Sequence, residues 1–160
     1  MAHTSSLSPM IQKYISNPSI VGEGLLTHYI WDVYTARLYA PSGQFNSKKP
    51  YALELIYLLN VSGSDITKHS LDEMKKQGLD NPLKIKQWGD DMKGIFPDVK
   101  KNDIILGIST KSGYSIFYKN NQRVGIIKDK EFTKRFFDIW LSAETSEPSL
   151  RSQLLGIKAE

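Results

Sequence analysis

The sequence predicts an α+β fold, in which a large antiparallel sheet carries helices layered on one face. Three observations support this prediction: short extended segments separated by hairpin-length turns in residues 103–127, two amphipathic helices in residues 66–95, and a very apolar helical region in residues 128–156. Hairpin-length turns favour antiparallel pairing, and helices grouped apart from the strands are typical of α+β architecture.

Length and composition favour a single globular domain. A chain of 160 residues is long enough to bury a core, and its content of 40% hydrophobic and 24% charged residues is ordinary. We expect an N-terminal arm over residues 1–19 and one domain over residues 20–160. The chain has no cysteine, which excludes disulfides, thiolate catalysis and cysteine metal ligands.

The charge pattern excludes some partners. The net charge is +4, but the basic residues are scattered and no nucleic-acid-binding motif is present, so we expect no nucleic acid partner. No apolar run approaches the roughly 18 residues of a membrane span, so we expect no integral membrane segment. The start of the chain lacks the apolar core of a signal peptide. We expect a cytoplasmic location, or a periplasmic one if an export leader was removed; the oligomeric state is left open.

The first extended region spans Ile20–Ala40, whose β-branched and aromatic residues favour strands. It is too long for one half-exposed strand, so we expect two strands, or one strand bent near Asp32. Side chains alternate along a strand, which places Tyr34, Ala36 and Leu38 on one face and Thr35, Arg37 and Tyr39 on the other. The next segment, Tyr51–Val61, is apolar on both faces and is predicted to be a central strand.

Two helices and a meander follow. The first helix is predicted over Ile66–Gln77, and the second begins at Pro82 after the cap residue Asn81. The second helix carries an apolar stripe at Ile85, Trp88, Met92 and Ile95. The meander is predicted from strands at Ile104–Thr110, Tyr114–Lys119 and Gln122–Ile127. Asn120 and Asn121 form the last turn, because Asn tolerates positive φ.

The segment Lys128–Gly156 is predicted to form two helices. Asp129 caps the first by accepting hydrogen bonds from unpaired backbone N–H groups. Its aromatic side chains recur on one face at Phe132, Phe136 and Trp140. A helix this apolar must be covered by the rest of the fold. The second helix is predicted to begin at Ser146–Pro148, since proline is tolerated in a first turn.

The sequence offers few candidates for catalysis or metal binding. The three histidines, His3, His28 and His69, lack the paired spacing of a zinc site, so we expect no metal and interpret His28 and His69 as surface or structural residues. No spacing pairs two carboxylates for acid–base chemistry, and no glycine-rich phosphate loop precedes a helix. We therefore expect no cofactor.

Arg37 is the most informative single side chain in the predicted sheet. It lies among Tyr34, Thr35 and Tyr39, and a guanidinium beside tyrosines can bind a carboxylate while apolar walls hold a hydrocarbon tail. In the simpler interpretation, which we favour, Arg37 points to water and its aliphatic stem lies on the sheet.

Several segments resemble the bacterial branch of the chalcone isomerase-like family. They are LTHYIWDVYTARLYAPSG, SLDEMKKQG, KGIFPDVKKNDII, IFYKNNQRVGIIKDKEF and FFDIWLSAETSEPSLRSQLLG. The resemblance covers Val21–Gly156, nearly the whole chain. It implies an open-faced β-sandwich, a large antiparallel sheet with helices layered on one side.

The resemblance implies one of two functions. Plant members close a chalcone into a flavanone by intramolecular addition of a phenolate oxygen across an enone, whereas related members bind fatty acids without catalysis. Both use a cleft between the sheet and the helices, with an arginine in the first strands that recognises the anion. In this sequence the place of that arginine is taken by Gly24 or Leu25. The family's strand threonine falls at Tyr34 or Thr35.

The family's catalytic tyrosine maps near Ile66 and its asparagine near Glu73. These departures disfavour cyclisation, which needs a cation for the phenolate. We expect a non-catalytic protein that binds a small lipophilic ligand, fatty-acid-like or otherwise anionic; the alternative is a chalcone isomerase-type intramolecular lyase. The expected ligand-binding residues are Tyr29, Tyr34, Thr35, Arg37, Tyr57 and Met74.

Overall fold

The computed structural model describes residues 7–157, so His3 and the first part of the predicted arm lie outside the described residues. Within this range six strands form one antiparallel sheet, and their order in space is their order in sequence. The strands are β1 (Pro18–His28), β2 (Trp31–Pro41), β3 (Tyr51–Tyr57), β4 (Ile104–Ser109), β5 (Ser115–Lys119) and β6 (Gln122–Ile127). All neighbouring strands pair antiparallel, as the hairpin-length turns predicted.

Helices occupy both ends of the described chain and the long connection between β3 and β4. They are α1 (Pro9–Tyr14), α2 (Gly63–Lys76), α3 (Pro82–Ile95), α4 (Lys130–Leu141) and α5 (Pro148–Leu154). Among residues 7–157, no helix has the length and apolarity needed to cross a bilayer. The predicted α+β class, with an antiparallel sheet and a helix layer, is confirmed.

The first extended region is two strands, not one bent strand. β1 and β2 pair along their length, from Pro18 opposite Pro41 to His28 opposite Trp31. The reversal lies at Tyr29, whose φ of 57° is in the left-handed region, and not at Asp32. Tyr29 is not a typical turn residue, which explains why the sequence did not locate this turn.

The helix layer α2–α5 covers one face of the sheet. The inward side chains of β2 and β3 alternate with outward ones, and the inward set joins the aromatic face of α4 in the main core. Phe136 is the centre of this packing, because its ring contacts the rings of Phe117, Phe132, Phe137 and Trp140. The expectation that α4 is covered by the rest of the fold is confirmed.

The opposite face carries a smaller core under α1. Ile11 and Ile15 are buried there against a set of sheet residues that includes Tyr39, Ala52, Leu106 and Ile108. The N-terminal segment therefore packs on the sheet, on the face opposite the other helices.

Caps and turns fix the element ends. The Asp129 side chain accepts hydrogen bonds from the N–H groups of Glu131 and Phe132, as predicted. α2 begins three residues earlier than the predicted Ile66, because Ser62 Oγ accepts the hydrogen bond from Asp65 N and so acts as the cap.

The last helix packs on β1. Gly22 and Gly24 leave room for this contact, because a Cβ atom at Gly24 would lie 2.2 Å from Gln153 Oε1 and one at Gly22 would lie 2.1 Å from the carbonyl oxygen of Gln153. The glycine-rich start of β1 is therefore a requirement of helix–sheet packing.

Candidate ligand cavity

A largely apolar cavity of about 290 Å³ lies between the sheet and helices α2 and α4. Its volume is close to the lower end of the range of small-molecule pockets, about 300–1,000 Å³. The lining from the sheet and its turns is Leu26, Thr27, His28, Val33, Tyr34, Leu55, Tyr57, Val61 and Ile105, and Phe96 is added from the C-terminal cap of α3. The lining from the helix layer is Asp65, Ile66, His69, Ser70, Glu73, Phe136, Ile139, Trp140 and Glu147.

Two tyrosines provide hydroxyl groups in this cavity. Tyr34 and Tyr57 are register partners on β2 and β3, with their ring centroids 5.4 Å apart. The Tyr34 hydroxyl accepts a hydrogen bond from Trp140 Nε1 at 2.8 Å, so its own hydrogen remains available. Within the described residues, the Tyr57 hydroxyl has no hydrogen-bond partner, although the residue is only 4% exposed.

The surroundings keep both tyrosines neutral. Burial, followed by the proximity of Tyr57, raises the pKa of Tyr34 far above its ordinary value; the hydrogen bond from Trp140 lowers it, and the charges of Glu147 and Glu73 raise it further. Burial alone raises the pKa of Tyr57. Both groups therefore act as hydroxyl donors and acceptors and not as phenolates.

Helix α2 contributes one wall through Ile66, Ser70 and Glu73, which are spaced four and three residues apart. Ser70 Oγ donates to the carbonyl oxygen of Ile66 at 2.8 Å. Glu73 Oε2 accepts from Lys76 Nζ at 2.8 Å. Burial would raise the pKa of Glu73, but hydrogen bonds from Lys76 and Ser146 outweigh it, so that this pKa lies below its usual value.

The exposed part of the lining forms the mouth of the cavity. It includes two histidines, His28 and His69, and two carboxylates, Asp65 and Glu147, which we call the acidic rim. Within residues 7–157, neither carboxylate of the acidic rim forms a salt bridge, and the lining contains no lysine or arginine. No group of three or more metal-ligating side chains occurs among the described residues.

The structure does not bring the six residues expected from the sequence to one site. Tyr34 and Tyr57 line the cavity. Met74 is buried in the core beside it but is not part of its lining. Tyr29 lies at the β1–β2 turn and is 86% exposed, because the reversal of the chain carries it past the end of the sheet.

Thr35 and Arg37 lie on the opposite face of the sheet from Tyr34, as side-chain alternation requires. Arg37 Nε donates to Glu23 Oε2 at 2.8 Å, and Arg37 Nη1 lies 3.7 Å from Glu54 Oε1. The guanidinium therefore neither lines the cavity nor points freely to water, because its side chain is 17% exposed and paired with carboxylates of this chain.

Some cavity residues were missed at the level of sequence. Phe136 and Trp140 were interpreted only as core, and His28 and His69 only as surface or structural residues. A signal for the α2 wall was present, because Ser70 and Glu73 place polar groups on the same helix face as Ile66. Polar groups on a face that should be buried often mark a cavity or a binding site.

The positions matched to family site residues mostly meet in this cavity. Tyr34, Ile66 and Glu73 all line it. Gly24 and Leu25, at the place of the family arginine, do not: Gly24 lies against α5, and Leu25 is 41% exposed.

Comparisons with known proteins agree with this geometry at the level of fold. No curated protein matches the sequence. Among solved structures, a fatty-acid binding protein from Arabidopsis thaliana is similar, with a TM-score of 0.65 and 14% sequence identity over 87% of each chain. At this identity the similarity concerns the fold. The family model described as chalcone isomerase-like matches residues 16–156. The chain therefore belongs to the chalcone isomerase-like family.

Proposed function

We propose that this protein binds a small lipophilic ligand in the cavity between the sheet and helices α2 and α4, without converting it chemically. The observation that carries the proposal is an apolar, aromatic-walled cavity of about 290 Å³ whose lining includes Tyr57, a residue without a side-chain hydrogen bond among the described residues. A polar group of the ligand could therefore hydrogen-bond to the Tyr57 hydroxyl, while its apolar part contacts the aromatic walls.

The walls suit a hydrocarbon group. Leu55, Ile105, Phe136 and Ile139 are all buried residues of the lining, and transfer of an apolar ligand from water to such walls is favourable by about 25 cal/mol per Å². The fatty-acid-like tail expected from the sequence fits this environment. The name of the Arabidopsis protein, a fatty-acid binding protein of the same fold, also supports a lipophilic ligand.

The alternative, an isomerase, receives less support from the lining. Closure of a chalcone requires a cation that stabilises the phenolate and donors where enolate charge develops. The described lining supplies carboxylates and imidazoles in place of a lysine or arginine. Binding without turnover is therefore the function that we propose.

The test is a titration with Nile red, a neutral lipophilic dye whose fluorescence rises in apolar surroundings. Val33 is a half-buried residue of the cavity wall, so Val33→Trp should fill part of the cavity and weaken dye binding at least tenfold. Val124 is also half-buried but lies outside the lining, which makes Val124→Trp the matched control.

We expect saturable binding by the parent protein and by Val124→Trp, with circular dichroism showing that all three proteins are folded. Absence of saturable binding, or equal binding by Val33→Trp, would contradict the proposal. Native mass spectrometry of protein purified without added ligand provides a second readout, in which a retained lipophilic compound is expected.

A further inference from the structure

The cavity has an unusual distribution of charge for a site expected to hold an anion. The two carboxylates of the acidic rim, Asp65 and Glu147, lie at its mouth, and Glu73 lies in its α2 wall. The rim carboxylates have no salt-bridge partner among residues 7–157. Lys76 pairs with Glu73 from outside the lining.

The two histidines of the lining do not replace the missing cation. His69 is close enough to Glu73 to contribute to the low pKa of that carboxylate, so its interaction is directed within the protein. The His28 ring packs edge-on against Tyr29, with the centroids 4.4 Å apart. Two permanent cations are close in sequence or space but do not line the cavity: Lys76 is paired with Glu73, and Arg37 lies on the other face of the sheet.

Two carboxylates lie close enough to the Tyr34 hydroxyl to affect its charge, in addition to the larger effect of burial. Glu147 and Glu73 both disfavour a negative charge on its oxygen. A ligand carboxylate placed beside this hydroxyl would experience the same repulsion, in surroundings where low polarity strengthens it. An uncharged or positively charged group would not.

The free hydroxyls can pair with either kind of headgroup, so the charges at the mouth decide between them. Tyr34 offers a hydrogen to an acceptor, and Tyr57 can both donate and accept. A carboxylate could accept hydrogen bonds from both hydroxyls, but it cannot donate one to the acidic rim. An alcohol or a protonated amine can donate, and the alcohol can also accept.

We infer that the ligand of this cavity is a lipophile with a hydrogen-bond-donating headgroup that is neutral or cationic, an aliphatic alcohol or amine, and not a carboxylate. The inference rests on the proposed binding function. In this inference Asp65, Glu147 and the two tyrosines recognise the headgroup. The aromatic walls bind the tail.

The experiment is displacement of Nile red by three probes with the same tail, decanol, decylamine and decanoate. We expect decanol and decylamine to displace the dye at concentrations at least tenfold lower than decanoate. Glu147→Gln and Asp65→Asn keep the side-chain shape and remove the charge. We expect these variants to bind decylamine more weakly and decanoate more tightly than the parent protein does. Their affinity for decanol should be nearly unchanged.

Matched controls are Glu144→Gln and Asp80→Asn, which make the same charge changes at exposed residues outside the lining. They should leave the order of the probes unchanged. If Nile red binds but decanoate displaces it as well as the other probes do, or if none of the three competes, the headgroup inference is wrong and the lipophilic cavity stands. If Nile red does not bind at all, the proposed function itself fails.

Discussion

The two faces of the sheet differ in how their buried polar side chains are paired. On the face opposite α2–α5, the buried carboxylate of Glu54 lies near Arg37, and the Tyr39 side chain hydrogen-bonds to both. On the helix-covered face, the carboxylate of Glu73 is paired, but the Tyr57 hydroxyl has no partner among the described residues.

This difference indicates which face could bind a ligand. On the Arg37 face, Arg37, Glu54 and Tyr39 pair with one another within the chain. The helix-covered face leaves a hydroxyl and a volume unfilled. Tyr34 and Arg37 are three positions apart on one strand, and this odd spacing is enough to separate the cation from the cavity.

The largest expected effect comes from a variant that tests how much the helix-covered face contributes to the free energy of unfolding. Phe137 is 1% exposed, and its ring lies 5.1 Å from that of Tyr51 and 5.2 Å from that of Phe136. Phe137→Ala should lower the free energy of unfolding by about 3–5 kcal/mol through lost burial and a new void. Urea unfolding followed by circular dichroism measures this change.

Ile11→Ala is the matched change on the other face. Ile11 is fully buried, but α1 is short and can separate locally from the sheet, so the expected loss is about 2 kcal/mol. An equal or larger loss for Ile11→Ala would show that the two faces contribute alike and would remove the basis of the comparison.

The fold was predictable because its signals are local. Asp129 and Asn81 cap their helices as predicted, and Asn120 and Asn121 both have positive φ in the turn between β5 and β6. The β1–β2 turn was not located, because Tyr29 adopts a left-handed conformation that its residue type does not indicate.

The site was less predictable because a cavity depends on distant packing. The hydrogen bond between Trp140 and Tyr34 joins residues 106 positions apart, and no local pattern contains it. Alternation did place Tyr34 and Tyr57 on one face and Arg37 on the other. The expected ligand-binding residues nevertheless come from both faces, because a guanidinium beside tyrosines forms an anion site only where their side chains share a face.

A smaller effect is expected from Arg37→Met, which keeps an apolar stem and removes the charge. Glu54 is 7% exposed and would lose its cation, so we expect a loss of about 2 kcal/mol in the free energy of unfolding at pH 7. Nile red affinity should not change, because Arg37 lies outside the cavity lining. A tenfold loss of affinity would instead assign Arg37 to ligand binding.

Glu23→Gln is the control for this variant. The Glu23 side chain is 54% exposed, and its ion pair with Arg37 is expected to contribute less than about 1 kcal/mol. Arg37 then remains beside Glu54, so the stability of Glu23→Gln should stay close to that of the parent protein.

The two buried glutamates should give opposite pH dependences. Burial raises the pKa of Glu54, although Arg37 and Tyr39 lower it, so its contribution to stability is present below the unfolded-state pKa of about 4.3 and is lost as the pH rises. Glu73 has a lowered pKa, so its contribution is present above about pH 4.3 and is lost as the pH falls.

In Glu54→Gln, the decline in stability as the pH rises above about 4.3 should therefore disappear. In Glu73→Gln, the decline in stability as the pH falls below about 4.3 should disappear. Urea midpoints measured between pH 3 and pH 7 give both profiles. Two variants with the same profile would show that the faces do not treat their carboxylates differently.

The smallest effect distinguishes a satisfied hydroxyl from an unsatisfied one within the cavity. Tyr34→Phe removes the acceptor of Trp140 Nε1 and leaves a buried donor unpaired, so a loss of about 1–2 kcal/mol is expected. Tyr57→Phe removes a hydroxyl that has no partner in the described structure, so the free energy of unfolding should be unchanged or slightly higher. Decanol affinity should nevertheless fall in Tyr57→Phe, because that hydroxyl is available to the ligand. A stability loss in Tyr57→Phe as large as that in Tyr34→Phe would mean that the protein itself satisfies the Tyr57 hydroxyl, and the cavity would lose its free polar group.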